Sequence, residues 1–282
     1  MKENITKRLA LFMGSLAIVA MVHAQTRLLV RVDDMASSHA ANVACIEAYQ
    51  NGIATSVEVI VNGPWFEEAV TMLTENPGLD VGVHLALTSE WQKIKWKPLT
   101  YAPSLVDENG YFYPMIWAND NYPTQALAER EWKLDEIEQE LRAQIELAMR
   151  RIPRLSHMSA HMGCTRMTDE TNELLERLSE EYDLKVITDQ IVYPTVRWTG
   201  KEFGGAEKTD RLIKMLAALE DGDYFIVCHP GLDVEELGAV GHIGYEEVRF
   251  DRAAETEALT NEEVKQKIAD LNIELISYRD IK

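Results

Sequence analysis

The sequence predicts an α/β fold: a single domain of parallel strands alternating with helices and interrupted by one aromatic-rich insertion. Three observations carry this. From Leu28 onward, apolar runs of strand length alternate with helical stretches, an order that implies parallel strands joined by right-handed crossovers. Several of those runs end in a side chain able to hold a metal or a proton, namely Asp33-Asp34, His84 and His229. Residues 89–125 then break the rhythm with Trp91, Trp96, Tyr101, Tyr111, Phe112, Tyr113, Trp117 and Tyr122. The 282 residues suffice for one large domain, and no stretch reads as a linker between two.

Composition excludes some partners. A net charge of −19 argues against nucleic acid and anionic membrane surfaces, and suits a neutral or cationic substrate. Cys45, Cys164 and Cys228 have no metal-type spacing and give no disulfide framework; Cys45 and Cys228, in apolar runs, read as buried thiols. Residues 1–24 read as a signal peptide. Lys2, Lys7 and Arg8 form its basic region, Leu9 to Val22 its apolar region, and Val22-His23-Ala24 a small-residue cleavage site before Gln25. An uncleaved anchor is the alternative, but the run is short for a membrane span. The expectation is an exported protein, periplasmic or extracellular, with residues 25–282 as the mature domain and no stable membrane insertion after cleavage. A homodimer is compatible with the sequence.

The elements follow in order. Leu28 to Val32 is an apolar strand ending in Asp33 and Asp34. Neighbouring strand residues face opposite ways, so the two carboxylates share a crevice only where the strand gives way to a loop. The bland alternative is that they end the strand and cap the next helix. Ser38 to Asn51 has helical spacing, Ser56 to Val61 reads as a strand, and Trp65 to Glu75 as a helix stopped by Asn76-Pro77-Gly78. Leu79 to His84 is the third strand. The insertion is long for a compact domain, which usually marks function. Exposed rings suit sugar faces, while most of these rings should simply fold the insertion onto the rim. Ala126 to Arg151 has its apolar residues on one face, with glutamates early and arginines late.

Leu155 to Gly163 reads as a strand with histidines four apart. His157 and His161 share a face, but roughly 13 Å of rise separates them in a regular strand, so one ion cannot take both unless the chain turns. His161, nearer the C-terminal end, is the better ligand and His157 a buried supporting residue. Asp169 to Glu181 reads as a helix, Leu184 to Thr188 as a strand, and Thr209 to Leu219 as a helix, with Val192 to Gly205 irregular. Tyr224 to Cys228 is the last strong strand and delivers His229 into the turn Pro230-Gly231. Glu262 to Leu271 is a helix and Ile273 to Ser277 a final strand.

Asp33, Asp34, His84, His161 and His229 thus gather at one sheet edge, where α/β folds place their chemistry. Two histidines and one carboxylate suit a divalent ion, zinc or magnesium, with positions open for water and substrate. A second carboxylate can deprotonate that water and a further histidine can protonate a leaving group. No serine nucleophile elbow, phosphate loop or dinucleotide fingerprint competes.

Val32-Asp33-Asp34, Thr55-Ser56, Val61-Asn62-Gly63-Pro64, Gly82 to Thr88, His229-Pro230-Gly231 and the tail Ile273 to Arg279 resemble, as an ordered set, the YdjC-like carbohydrate deacetylases. That family includes chitooligosaccharide deacetylases and a hopanoid-biosynthesis branch. The resemblance runs from about Leu28 to the end. It implies a (β/α) barrel-like fold and removal of an acetyl group from an N-acetylated amino sugar or oligosaccharide. By the resemblance Asp34, His84 and His161 match the metal ligands, Asp33 the catalytic base and His229 the acid. This chain departs from the usual Asp-Ser-His pattern, placing Ser159-Ala160-His161-Met162-Gly163 there, and carries Met35-Ala36 after the paired aspartates in place of Phe-Gly. Ser159 removes a negative group beside the metal site. Two other functions fit the same pattern: hydrolysis of another amide or an ester by the same mechanism, and glycan binding without catalysis.

Overall fold

The computed structural model describes residues 25–187 and 191–281; the expected signal peptide, residues 1–24, lies outside the described residues. Strand β1 (Thr26–Met35) leads to α1 (His39–Gln50), β2 (Ser56–Val59), α2 (Phe66–Glu75) and β3 (Asp80–Leu85). After the insertion come α3 (Leu134–Arg151), β4 (His157–Ala160), α4 (Asp169–Tyr182), α5 (Gly205–Ala217), β5 (Gly222–Cys228), α6 (Val248–Thr260), α7 (Glu262–Asp270) and β6 (Glu274–Ile276). The sheet runs β4-β3-β2-β1-β5, with β6 on β1, and all its pairings are parallel. Every strand therefore presents its C-terminal end to the same side. Among the described residues no ladder joins β4 to β5, so the described sheet is open. None of the described helices is long and apolar enough to cross a membrane.

The core follows from the strand composition. β1 is buried from Leu28 to Met35, and β2 and β3 are buried throughout, as expected of central parallel strands covered on both faces. Helix α1 begins at Ser38, whose hydroxyl accepts from Ala41 N at 3.0 Å. The cap is thus Ser38, and neither Asp33 nor Asp34 is spent on it.

Four expectations need correction. The long amphipathic helix starts at Leu134, not Ala126. Leu127 N and Ala128 N donate to Met115 O and Ile116 O, so the first residues of that pattern serve the insertion. The strand expected over 155–163 stops at Ala160, because the chain turns at Met162 (φ 51°) and Gly163 (φ 68°). The strand expected over Leu184 to Thr188 reduces to one parallel bridge between Lys185 and His157, Thr188 lying outside the described residues. Helix α5 begins four residues before Thr209 and ends at Ala217. Helix α6 had no counterpart in the sequence reading. Its inner face mixes Val248, Ala258 and Leu259 with buried Asp251, Arg252, Glu255 and Thr256, so apolar periodicity does not reveal it.

The insertion holds two short 3₁₀ turns between β3 and α3. Buried Glu140 of α3 pins it, accepting from Leu99 N at 3.0 Å and Thr100 N at 2.9 Å. Trp91, Trp96, Phe112 and Tyr122 are buried, while Tyr101 and Trp117 are exposed. Cys45, Cys164 and Cys228 are free and buried.

Candidate metal centre

A one-residue bulge in β1 brings the paired aspartates together. Val32 pairs with Val57 and Met35 with Val59, so β1 uses one residue more than β2 over that interval. Asp34 absorbs the irregularity at φ 68°, a conformation that asparagine and aspartate tolerate better than most residues. Both carboxylates then line one cleft with His84, His161 and His229. The five residues singled out in the sequence meet there, and His157 does not.

Asp34, His84 and His161 each offer one ligand atom, all within 4.8 Å of one another. Asp34 Oδ1 lies 3.2 Å from His161 Nδ1 and 3.6 Å from His84 Nε2. It is buried and makes no hydrogen bond, an arrangement that leaves one lone pair aimed at an ion. The far nitrogen of each ring is occupied: His84 Nδ1 meets Ser159 Oγ at 2.7 Å and His161 Nε2 meets Glu90 Oε2 at 3.0 Å. If those far nitrogens carry the protons, Nε2 of His84 and Nδ1 of His161 are free to ligate. The parallel register itself places Ser159 opposite His84. One carboxylate and two imidazoles fit a divalent ion, and the imidazoles favour zinc over magnesium.

The charges around the site suit a cation. Burial would raise the Asp34 pKa, but the Arg252 guanidinium and His161 outweigh it and hold the carboxyl well below the usual range. Arg252 Nη2 donates to Asp34 Oδ2 at 2.6 Å. Burial pushes His161 down, yet Glu90 and Asp34 together raise it to about 10. Burial, reinforced by His161, takes His84 down to about 3. Without an ion, the pocket keeps its positive charge on His161.

Asp33 is gripped from the other side. Arg31 Nε and Nη2 donate to its two oxygens at 2.7 and 2.8 Å, and Arg31 Nη1 donates to the Tyr278 hydroxyl oxygen at 2.9 Å. Asp33 Oδ2 remains 3.6 Å from His84 Nε2. His229 follows β5, half-buried at the cleft edge, with its backbone N–H donating to Glu255 Oε2 at 2.6 Å. His157 sits in a separate buried network with Glu58 at 2.9 Å, its ring stacked on Tyr278 at 3.6 Å between centroids.

Sequence reasoning missed Arg252, Glu90 and Glu255. Glu90 lies in the irregular insertion, where no pattern distinguishes it. Arg252, Glu255 and Thr256 share one helix face, and that polar i, i+3, i+4 spacing between Val248 and Leu259 was the available signal. Trp91 completes the cleft, with the Arg252 guanidinium 5.1 Å above its ring.

The chain is 29% identical over 268 residues to carbohydrate deacetylase 2 of Listeria innocua, covering 90% of this chain and 98% of that one. It is 31% identical over 270 residues to a carbohydrate deacetylase of Clostridium beijerinckii, covering 90% and 100%. A crystal structure from Enterococcus faecalis V583, described as a cellobiose-phosphate cleavage protein, superposes with a TM-score of 0.71 at 25% identity, covering 91% and 99%. The YdjC-like protein family matches residues 27–270, and the chain belongs to that family.

Proposed function

We propose that this protein is a metal-dependent hydrolase that removes the acetyl group from an N-acetylated amino sugar or oligosaccharide. The observation that carries the reading is the unpaired Asp34 Oδ1 between His84 and His161, in a cleft that Asp33 and His229 also face. Relatives bearing the name carbohydrate deacetylase support the choice of bond.

Asp34, His84 and His161 are the residues that would hold the ion. When bound, it polarises the acetyl carbonyl and acidifies water. Asp33 takes a proton from the attacking water as the new C–O bond forms, and the paired contacts from Arg31 keep its carboxylate in one orientation. His229 gives a proton to the sugar nitrogen as the C–N bond breaks, leaving acetate and a free amine. Glu255 fixes the backbone from which His229 projects.

In this reading the sheet belongs to a (β/α) barrel whose gap between β4 and β5 is narrowed by the bridges of Lys185 to His157 and Val192 to Tyr224. The aromatic insertion forms the substrate rim. Residues 1–24 direct export, and a mature N-terminus at Gln25 on protein recovered from the cell envelope tests that. The activity itself is tested by acetate release from N-acetylglucosamine oligomers with zinc-loaded protein. Release that chelator and Asp33→Asn abolish supports the reading. Turnover only of ester or other amide substrates, or glycan binding with no turnover at any metal loading, replaces it with one of the two alternatives.

A further inference from the structure

The guanidinium that holds Asp33 has a second carboxylate within reach. Arg31 spends Nε and Nη2 on the two oxygens of Asp33 at 2.7 and 2.8 Å. Its remaining nitrogen, Nη1, has two buried neighbours. The Tyr278 hydroxyl oxygen accepts from it at 2.9 Å, while Glu58 Oε1 lies 3.7 Å away. Glu58 is fully buried, and among the described residues neither of its oxygens makes a hydrogen bond. The nitrogen closest to it, His157 Nε2 at 2.9 Å, is shared with Ser56 Oγ at 3.0 Å. A buried carboxylate short of donors is costly, so Glu58 competes with Asp33 for the same cation. Burial disfavours the charge on Arg31, but Asp33, Tyr278 and Glu58 outweigh it and keep the guanidinium charged.

Tyr278 itself is fixed from several sides. Its ring stacks on His157 with centroids 3.6 Å apart and planes 6° from parallel. The His157 ring is held in turn by Ser56 Oγ at 3.0 Å and Ser156 Oγ at 2.8 Å. The Tyr278 carbonyl accepts from Lys185 Nζ at 2.9 Å, and the neighbouring Arg279 Nε reaches Asp80 Oδ1 at 3.0 Å. Burial pushes the Tyr278 phenol up, so it stays neutral and accepts from Arg31 without adding a negative charge. A planar guanidinium with all three nitrogens engaged cannot turn toward Glu58 without breaking a bond.

We propose that Tyr278 is a positioning residue for Asp33: its hydroxyl occupies the third nitrogen of Arg31 and so keeps the guanidinium on Asp33 and off Glu58. The role rests on the deacetylase reading, in which Asp33 takes the proton from water. It gives the C-terminal turn, remote in sequence from the metal centre, a part in the reaction.

Tyr278→Phe tests it, since phenylalanine keeps the stacked ring and deletes only the hydroxyl. In zinc-loaded protein, kcat for acetate release from an N-acetylglucosamine oligomer should fall about 10-fold, with KM within about twofold and zinc stoichiometry unchanged. Adding Glu58→Gln should recover most of that rate, because the competing charge is gone, whereas a packing defect would deepen. Heteronuclear NMR of the same zinc-loaded protein gives a readout independent of turnover. The Arg31 Nε–H signal, identified by its loss in Arg31→Lys, should exchange slowly with solvent in the wild type and about 10-fold faster in Tyr278→Phe. Unchanged exchange, an unchanged kcat, or a rate loss that Glu58→Gln does not recover overturns the role. Wild-type protein that releases no acetate, yet shows the expected faster exchange in Tyr278→Phe, overturns the deacetylase reading and leaves the hold of Tyr278 on Arg31 standing.

Discussion

Arg252 Nη2 on α6 lies 2.6 Å from Asp34 Oδ2 at the bulge of β1, and both side chains are buried. The contact occupies one carboxylate oxygen and leaves the other, Oδ1, facing His84 and His161. It ties the helix that the sequence reading passed over to the residue on which the metal centre turns. Replacing Arg252 by methionine removes the partner of Asp34 Oδ2 and leaves His161 as the remaining cation against this buried carboxylate. The metal-free variant should lose about 3–5 kcal/mol of stability. Zinc should restore part of the loss, because it supplies the missing positive charge. Denaturant unfolding with and without zinc measures both effects.

Metal affinity should rise with pH through a single proton. His161, raised to about 10, is protonated in the metal-free pocket, whereas His84, lowered to about 3, is already neutral. Binding must therefore displace one proton from His161 and none from His84. Zinc affinity should grow about tenfold per pH unit between about pH 6 and 9. Calorimetry in buffers of different ionisation enthalpy should return one released proton. Metal-free stability should move the other way. The folded pKa of His161 lies above its unfolded value, so its contribution is complete below about 6.5 and is lost as pH rises toward 10.

The supporting carboxylate and the proposed acid should separate in their effects. Glu90→Gln weakens the partner of His161 Nε2 and should reduce zinc affinity about 10–100-fold with the fold retained. His229→Ala should keep zinc at wild-type stoichiometry and lower kcat about 10²–10⁴-fold. Metal analysis beside acetate release distinguishes them, and zinc loss from His229→Ala would make that residue a ligand instead of an acid.

Behind the site, Gly82 leaves room for the His157 ring. A β-carbon at Gly82 would fall 2.3 Å from His157 Cδ2 and 2.6 Å from Glu58 Oε2. Gly82→Ala should cost about 1–3 kcal/mol by forcing that packed network apart. Thermal unfolding should register it, while zinc stoichiometry stays unchanged.

The site was legible where chemistry coincides with a strand end. Asp33, Asp34, His84 and His229 each close an apolar run, and parallel topology carries them to one edge. His161 was legible as a ligand, but the turn at Met162 and Gly163 that follows it directly at the end of β4 was not, since a methionine at positive φ has no sequence signature. Glu90 and Arg252 were hidden for different reasons. Glu90 is fixed by the tertiary path of an irregular segment, and Arg252 sits on a helix whose buried face is half polar. The predicted start of α3 failed because Leu127 and Ala128 continue a helical pattern while their backbone bonds go to the insertion. Local periodicity cannot report a partner that lies in another segment.

Asp34, His84 and His161 form one binding site for a single ion, and elemental analysis of wild-type protein beside His161→Ala is its sharpest test. Close to one zinc per wild-type chain is expected after loading and dialysis, with near-complete loss in the variant. Wild-type protein that retains no divalent metal, or a His161→Ala variant that retains as much as wild type, would contradict it.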